Sequence, residues 1–286
     1  MKKFEYYRPE SLKEAYGLME KWKGKADYIA GGTDIIVRIK QGVVRPDALV
    51  SLRGIEELRA RSLNGGLTLG SMTRFRDIER DPSISRDYPA LKAAAGWLAN
   101  PQVRNVATIG GNICNAAPSA DSVPPLLVMA ADAILEGPGG RRKIALEQFF
   151  KGPGETDMKA GEVLTAIRLP EMPDRSGSAF MKMGRVTQDL AVVNAAAFVA
   201  MEGDVCRKCR LAAGAVAPVP MRLRQAEKIV EGRKIDRDLL DRVAETVSQE
   251  VSPITDVRST EAYRRIVSGV LVKRAIAAAV EAAAAS

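Results

Sequence analysis

Two glycine pairs in the first half of this 286-residue chain are the positions best suited to chemistry. One lies in Tyr28-Ile29-Ala30-Gly31-Gly32-Thr33-Asp34. The other lies in Thr108-Ile109-Gly110-Gly111-Asn112-Ile113, with Pro118-Ser119-Ala120-Asp121 downstream. Each follows residues that suit a strand. Adjacent glycines let consecutive backbone N–H groups converge where a Cβ would clash, and the resulting concavity suits a phosphate. Two such concavities with hydroxyl and carboxylate side chains nearby could hold both phosphates and a ribose of a large dinucleotide. The spacing is not G-x-G-x-x-G, and neither pair opens a long glycine-packed helix, so the common dinucleotide-binding βαβ unit is not indicated.

What is missing narrows the chemistry further. The chain has no histidine, which removes Ser-His-Asp and Cys-His nucleophile systems and histidine-rich zinc or iron sites. Whatever reaction occurs therefore belongs to a bound cofactor. The three cysteines are Cys114, Cys206 and Cys209. The last two form a C-x-x-C pair, but three thiols without histidine fall short of a four-ligand site. If 204–213 is the return strand of a hairpin, a spacing of three puts these thiols on opposite faces. Reduced structural thiols are the expectation.

The net charge of +8 would suit a polyanion, but Lys and Arg are scattered and aromatics make up only 5%, too few for a base-stacking surface. No nucleic-acid partner is expected. The charge fits a solvated basic surface, a docking face for an acidic partner or an anionic cofactor. No signal-peptide core and no run of about 18 apolar residues appears. The expected location is cytoplasmic, with no membrane contact.

The elements that must carry the glycine pairs can be placed by pattern. Ser11-Leu12-Lys13-Glu14 is a capping box opening a helix with Leu12, Ala15, Leu18, Met19 and Trp22 on one face. A strand over 25–30 leads into the first pair, 35–40 is either a helical turn or a strand, and a strand over 46–52 closes a small α/β unit. Gly65-Gly66 separates two short strands, 73–80 is a short helix, and 90–98 is an alanine-rich helix stopped before Asn100-Pro101. After the second pair come a helical stretch over 124–131, a strand-turn-strand around Gly137-Pro138-Gly139-Gly140, and a strand over 163–169. A polar stretch between Pro170 and Ser178 marks a boundary. Beyond it, strands over 189–201 and 205–213 form a hairpin, followed by helices over 222–231, along Leu240, Val243, Val247 and Val251, and along Ile266, Val270 and Leu271. Strands followed by a helical cluster describe an α+β class.

Taken together, Ile29-Ala30-Gly31-Gly32-Thr33-Asp34, then Arg104-Asn105-Val106-Ala107-Thr108-Ile109-Gly110-Gly111-Asn112 with Pro118-Ser119-Ala120-Asp121, resemble the FAD-binding (medium) subunit of molybdenum hydroxylases. Ser178-Ala179-Phe180-Met181-Lys182, Asp189-Leu190-Ala191-Val192-Val193-Asn194, Asp256-Val257-Arg258 and Tyr263-Arg264-Arg265 extend the resemblance over nearly the whole chain. It implies an α+β fold: a two-part FAD-binding domain of the PCMH (vanillyl-alcohol-oxidase-like) type, 1–57 and 58–174, followed by a sheet-plus-helix domain, 175–286.

The resemblance also implies roles. FAD would be held non-covalently by Ile29, Ala30, Gly31, Gly32, Thr33, Asp34 and Ile35 on one side. Thr108, Gly110, Gly111, Asn112 and Asn115 would form the other. The amides of 31–34 would line the pyrophosphate, and the second pair would form an opposing wall through close backbone approach. Asp121 would accept from the ribose of the adenosine half, while Leu164 and Lys182 would lie near the isoalloxazine. Without the family pattern, Asp34 and Asp121 read as helix caps and Lys182 as a solvated strand residue. The implied partners are a molybdenum-cofactor large subunit and a small subunit with [2Fe-2S] clusters, with NAD or another carrier as electron acceptor. A stand-alone FAD-dependent reductase is the alternative, although no proton donor for it is evident. The family's 4-hydroxybenzoyl-CoA reductase branch has an added cysteine-rich cluster loop, which three cysteines do not supply.

Overall fold

A computed structural model describes residues 3–285. Its first sheet has three parallel strands in the order Glu5–Tyr7, Ala48–Ser51, Ala26–Ile29. Helix Leu12–Trp22 begins at Ser11, whose side chain accepts from the Glu14 amide, while Glu14 reaches back to the Glu10 amide. Leu12 and Ala15 are buried against this sheet. Residues Ile35–Lys40 are helical, which decides between the two readings of that segment.

The second sheet is antiparallel and five-stranded, in the order Arg61–Ser62, Leu67–Gly70, Val163–Leu169, Asp132–Gly137, Gly140–Ala145. Its core is shared with helices Phe75–Arg80, Pro82–Asp87 and Pro89–Trp97 and reaches Phe180, Ala196 and Phe198 of the third sheet. The third sheet pairs Ser176–Met183, Val193–Glu202, Val205–Gly214 and Met221–Arg222, with Arg233–Lys234 off one end. Helices Arg224–Val230, Arg237–Glu250 and Glu261–Ala285 accompany it.

Four expectations change. The second glycine pair does not follow a strand. Asn100 caps a helical turn, Pro101–Arg104, whose Val103 amide it binds at 2.9 Å, and Gly110 and Gly111 lie inside the first turn of helix Ile109–Cys114. The hairpin strand begins at Val193 rather than at Asp189, which sits in the preceding loop bound by Arg185 at 2.6 Å. Cys206 and Cys209 do not face opposite ways. The pairing shifts between Ala200 and Met201, which stand opposite Lys208 and Cys206, so Arg207 is an extra residue. This bulge reverses the alternation and puts both free thiols in one core. On the last helix Ile266 is 64% exposed, because the buried row runs through Arg264, Val267, Ser268, Leu271 and Ala275, a quarter-turn or so away.

Candidate functional site: a cleft between two glycine segments

The parallel order of the first sheet brings the carboxyl ends of Ala26–Ile29 and Ala48–Ser51 together, with Ile29 opposite Ser51. The glycine loop leaves the first of these ends. Gly32 adopts φ +81°, a left-handed conformation that favours glycine. A Cβ on Gly31 would lie 2.3 Å from the Val106 carbonyl oxygen, so the loop rests directly on the segment leading to the second glycine pair. The two motifs are thus neighbours. Between them opens a cleft of about 650 Å³, within the roughly 300–1,000 Å³ usual for ligand sites.

The two glycine motifs contribute differently. Among the described residues no acceptor is found for the amides of Gly31, Gly32, Thr33 and Asp34, which remain available to an anion. In the second motif the amides are committed. Ile109 donates to Thr73 O and Gly110 to Ser71 O, both at 2.9 Å. Gly111 donates to Thr108 Oγ1 at 3.1 Å and Asn112 to Thr108 O at 3.0 Å. The second pair is therefore not a second amide concavity. Its glycines permit contact: a Cβ on Gly110 would lie 2.5 Å from that of Ser71. Thr108 Oγ accepts one bond and keeps its proton to donate.

Of the residues singled out from sequence, Ala30, Gly31, Gly32, Thr33, Asp34, Ile35, Thr108, Gly110, Gly111, Asn112, Asn115, Asp121, Leu164 and Lys182 all line the cleft. Ile29 does not; its side chain packs with Ile39 and Leu49. Asp34 stands at the start of helix Ile35–Lys40 but its side chain caps nothing. Asn112 Oδ1 is bound by the Ser122 hydroxyl at 2.7 Å.

Lys182 is not a solvated strand residue and Asp121 is not a cap. The Lys182 side chain is 3% exposed, with Nζ 2.5 Å from Asp121 Oδ2. Asn194 Nδ2 donates to Asp121 Oδ1 at 2.8 Å. Burial pushes the Asp121 carboxyl up, and Lys182 and Asn194 offset only part of that rise. Asp121, Lys182 and Asn194 thus form one buried polar cluster on the wall of the cleft. The third sheet sets Asn194 opposite both Lys182 and Gly214, and the loop before helix Val123–Val128 carries Asp121 to this pair.

Other lining residues had no signal in sequence. Ser71 and Met72 follow the short strand Leu67–Gly70, and Leu98 and Met158 come from distant segments. A register shift between Leu164 and Ala166 bends the strand beside Ser71, whose amide donates to Thr165 O at 2.9 Å. Cys114 also lines the cleft, but burial raises its thiol to about 12, so at neutral pH it is not a thiolate nucleophile.

A cleft with a loop of free amides on one side and the second glycine segment on the other is the site of a protein that binds a nucleotide-type cofactor. Residues 2–172 match the family described as the FAD binding domain in molybdopterin dehydrogenase, and residues 178–279 match the CO dehydrogenase flavoprotein C-terminal domain. The chain belongs to the FAD-binding subunits of the molybdenum hydroxylase family and is an oxidoreductase subunit that binds FAD. It is 35% identical to the putative xanthine dehydrogenase FAD-binding subunit of Escherichia coli, covering 97% of this chain and 96% of that one. It is 34% identical to the glyceraldehyde dehydrogenase medium chain of Sulfolobus acidocaldarius, with 95% and 96% covered. The fold superposes on a chain of carbon monoxide dehydrogenase from Hydrogenophaga pseudoflava with a TM-score of 0.95, at 32% identity over 98% of each chain.

Proposed function

We propose that this chain is the flavoprotein subunit of a cytoplasmic, multisubunit molybdenum hydroxylase, organised as units 1–57, 58–174 and 175–286. It would take electrons from [2Fe-2S] clusters of a small subunit and pass them to NAD or another carrier, while a molybdenum-cofactor large subunit oxidises the substrate. The observation that carries this reading is the loop of unused amides at Gly31–Asp34 facing the Gly110–Gly111 wall inside one cleft. Cysteine arithmetic supports the division of labour. Each [2Fe-2S] cluster takes four thiolates, and the chain has three cysteines, two of them in a hydrophobic core.

FAD, when bound, supplies the redox chemistry, accepting two electrons and releasing them as a hydride or singly. The protein's part is to bind and orient. The amides of 31–34 meet the pyrophosphate, with Thr33 and the Thr108 hydroxyl as further donors and Asp34 present through its backbone. Ala30, Gly110 and Gly111 keep the walls close, and Ile29 anchors the loop from the core behind it. Asn112 and Asn115 give one wall its polar groups, Ile35 and Leu164 give apolar surface, and the Asp121–Lys182 pair presents a polar group that is nearly neutral overall. No side chain need act as acid or base. Among the described residues no helix is long and apolar enough to cross a membrane.

The test is isolation from the native source. The expected result is a yellow complex with two further subunits, whose flavin absorption is bleached by dithionite under anaerobic conditions and restored by NAD or a one-electron acceptor. A chain that purifies alone and turns over its own organic substrate would establish the stand-alone reductase instead.

A further inference from the structure

Arg53 stands behind the glycine loop, outside the cleft. It is the middle residue of the tight turn Leu52–Gly54 that follows strand Ala48–Ser51. Because that strand runs parallel to Ala26–Ile29, with Ser51 beside Ile29, the segments leaving the two strands emerge side by side. The guanidinium reaches across this gap. Nε donates to Ala30 O at 3.2 Å and Nη2 to Gly31 O at 3.0 Å.

A trans peptide is planar, so its C=O and N–H point in opposite directions. Holding the Ala30 carbonyl turns the Gly31 amide away from Arg53, and holding the Gly31 carbonyl does the same for the Gly32 amide. Ala30, Gly31 and Gly32 line the cleft, whereas Arg53 does not. The turn that carries Arg53 is itself anchored: its amide donates to Ser51 Oγ at 3.4 Å, its carbonyl accepts from Arg59 Nη2 at 3.1 Å, and Gly54 is pressed against Pro9. Among the described residues no carboxylate lies within ion-pair distance of Arg53.

We propose that Arg53 is the positioning residue of the pyrophosphate loop: it grips the loop by two carbonyls from outside and keeps the amides turned toward the cofactor. Its unpaired charge adds attraction for the diphosphate through the loop. The fork geometry matters, since a guanidinium engages both carbonyls along fixed directions and an ammonium does not. This inference rests on the FAD reading and assigns a role to a residue that never touches the cofactor.

The experiment uses the full-length apoprotein. Wild type, Arg53→Met and Arg53→Lys are titrated with FAD by quenching of flavin fluorescence at two salt concentrations, and the melting temperature of each apoprotein is measured alongside. Arg53→Met is expected to weaken FAD binding about tenfold, the scale of losing charge-assisted hydrogen bonds, while the apoprotein melts within about 2 °C of wild type. Arg53→Lys is expected to recover part of the loss, and salt is expected to weaken wild type more than Arg53→Met. Unchanged FAD affinity in Arg53→Met overturns the proposal, as does a loss matched by an equal collapse of apoprotein stability in both variants. If Arg53→Met does not fold, wild-type affinity in Arg53→Lys overturns it. A wild-type chain that binds no FAD removes the cofactor reading and this inference with it, an outcome visible before either variant is compared.

Discussion

A methyl group on residue 31 would sit 2.3 Å from the Val106 carbonyl oxygen and 2.9 Å from Ala107 Cα, and backbone on both sides leaves little room for relief. Gly31→Ala must therefore push apart the two segments that form the cleft. The expected cost is roughly 1–3 kcal/mol of stability, the range for overpacking, together with loss of measurable FAD binding. Chemical denaturation and a flavin titration check the two effects separately, and a variant that binds FAD like wild type would show that the contact is not needed. Exposed loop positions such as Gly139, where nothing lies within 4 Å of an added Cβ, tolerate the same change.

The second glycine pair acts through the helix that contains it. Ile109–Cys114 is only six residues long, too short to persist on its own propensity, and it is held by bonds to Ser71 and Thr73 and by the Thr108 side chain on the Gly111 amide. Thr108→Val keeps the shape and removes the acceptor, leaving a partly buried amide unpaired. The expected loss is about 1–2 kcal/mol, read as a lower urea midpoint, with Thr108→Ser within a few tenths of wild type. Equal midpoints for wild type and Thr108→Val would show that the cap is idle. FAD affinity should fall with the midpoint, because this helix forms one wall of the cleft.

Across the whole molecule, the long C-terminal helix is tied to the third sheet by a buried cation. Arg264, 1% exposed, donates from Nη1 to Val192 O at 2.6 Å and to Ala215 O at 3.1 Å, and pairs through Nη2 with Asp256 Oδ1 at 2.7 Å. Burial disfavours the Asp256 carboxylate, but hydrogen bonds from Arg258 and Arg264 overcome it and hold the carboxyl well below the usual range. A carboxyl whose folded pKa is depressed stabilises the protein above its unfolded pKa of about 3.9, and that contribution disappears as pH falls through the lower folded value. Asp256→Asn strands the Arg264 charge and should cost about 3–5 kcal/mol near neutral pH. The stability gap between wild type and Asp256→Asn should be constant from about pH 6 to 8 and narrow below about pH 4. A gap independent of pH down to the acid transition would show that the pair is not what Asp256 contributes.

Much of this protein was legible in its residues because the signals were local. The capping box at Ser11, the strand 163–169 with its terminal Pro170 and the paired glycines each act within a few positions, so the α+β class and the chain order of most elements agree with the structure, and all the residues named from sequence for the cofactor except Ile29 lie on one cleft. What failed depended on neighbours distant in the chain. A one-residue bulge decided where Cys206 and Cys209 point, and the packing of the loop before helix Val123–Val128 against the third sheet made Asp121 and Lys182 one buried pair. The supply of acceptors from Ser71 and Thr73 decided that only the first glycine loop keeps its amides free, and parallel strand order set Arg53 behind that loop. Local sequence specifies which conformations a segment can adopt; which hydrogen-bonding groups remain unspent is settled only when segments far apart in the chain meet, and that is what makes this cleft a site.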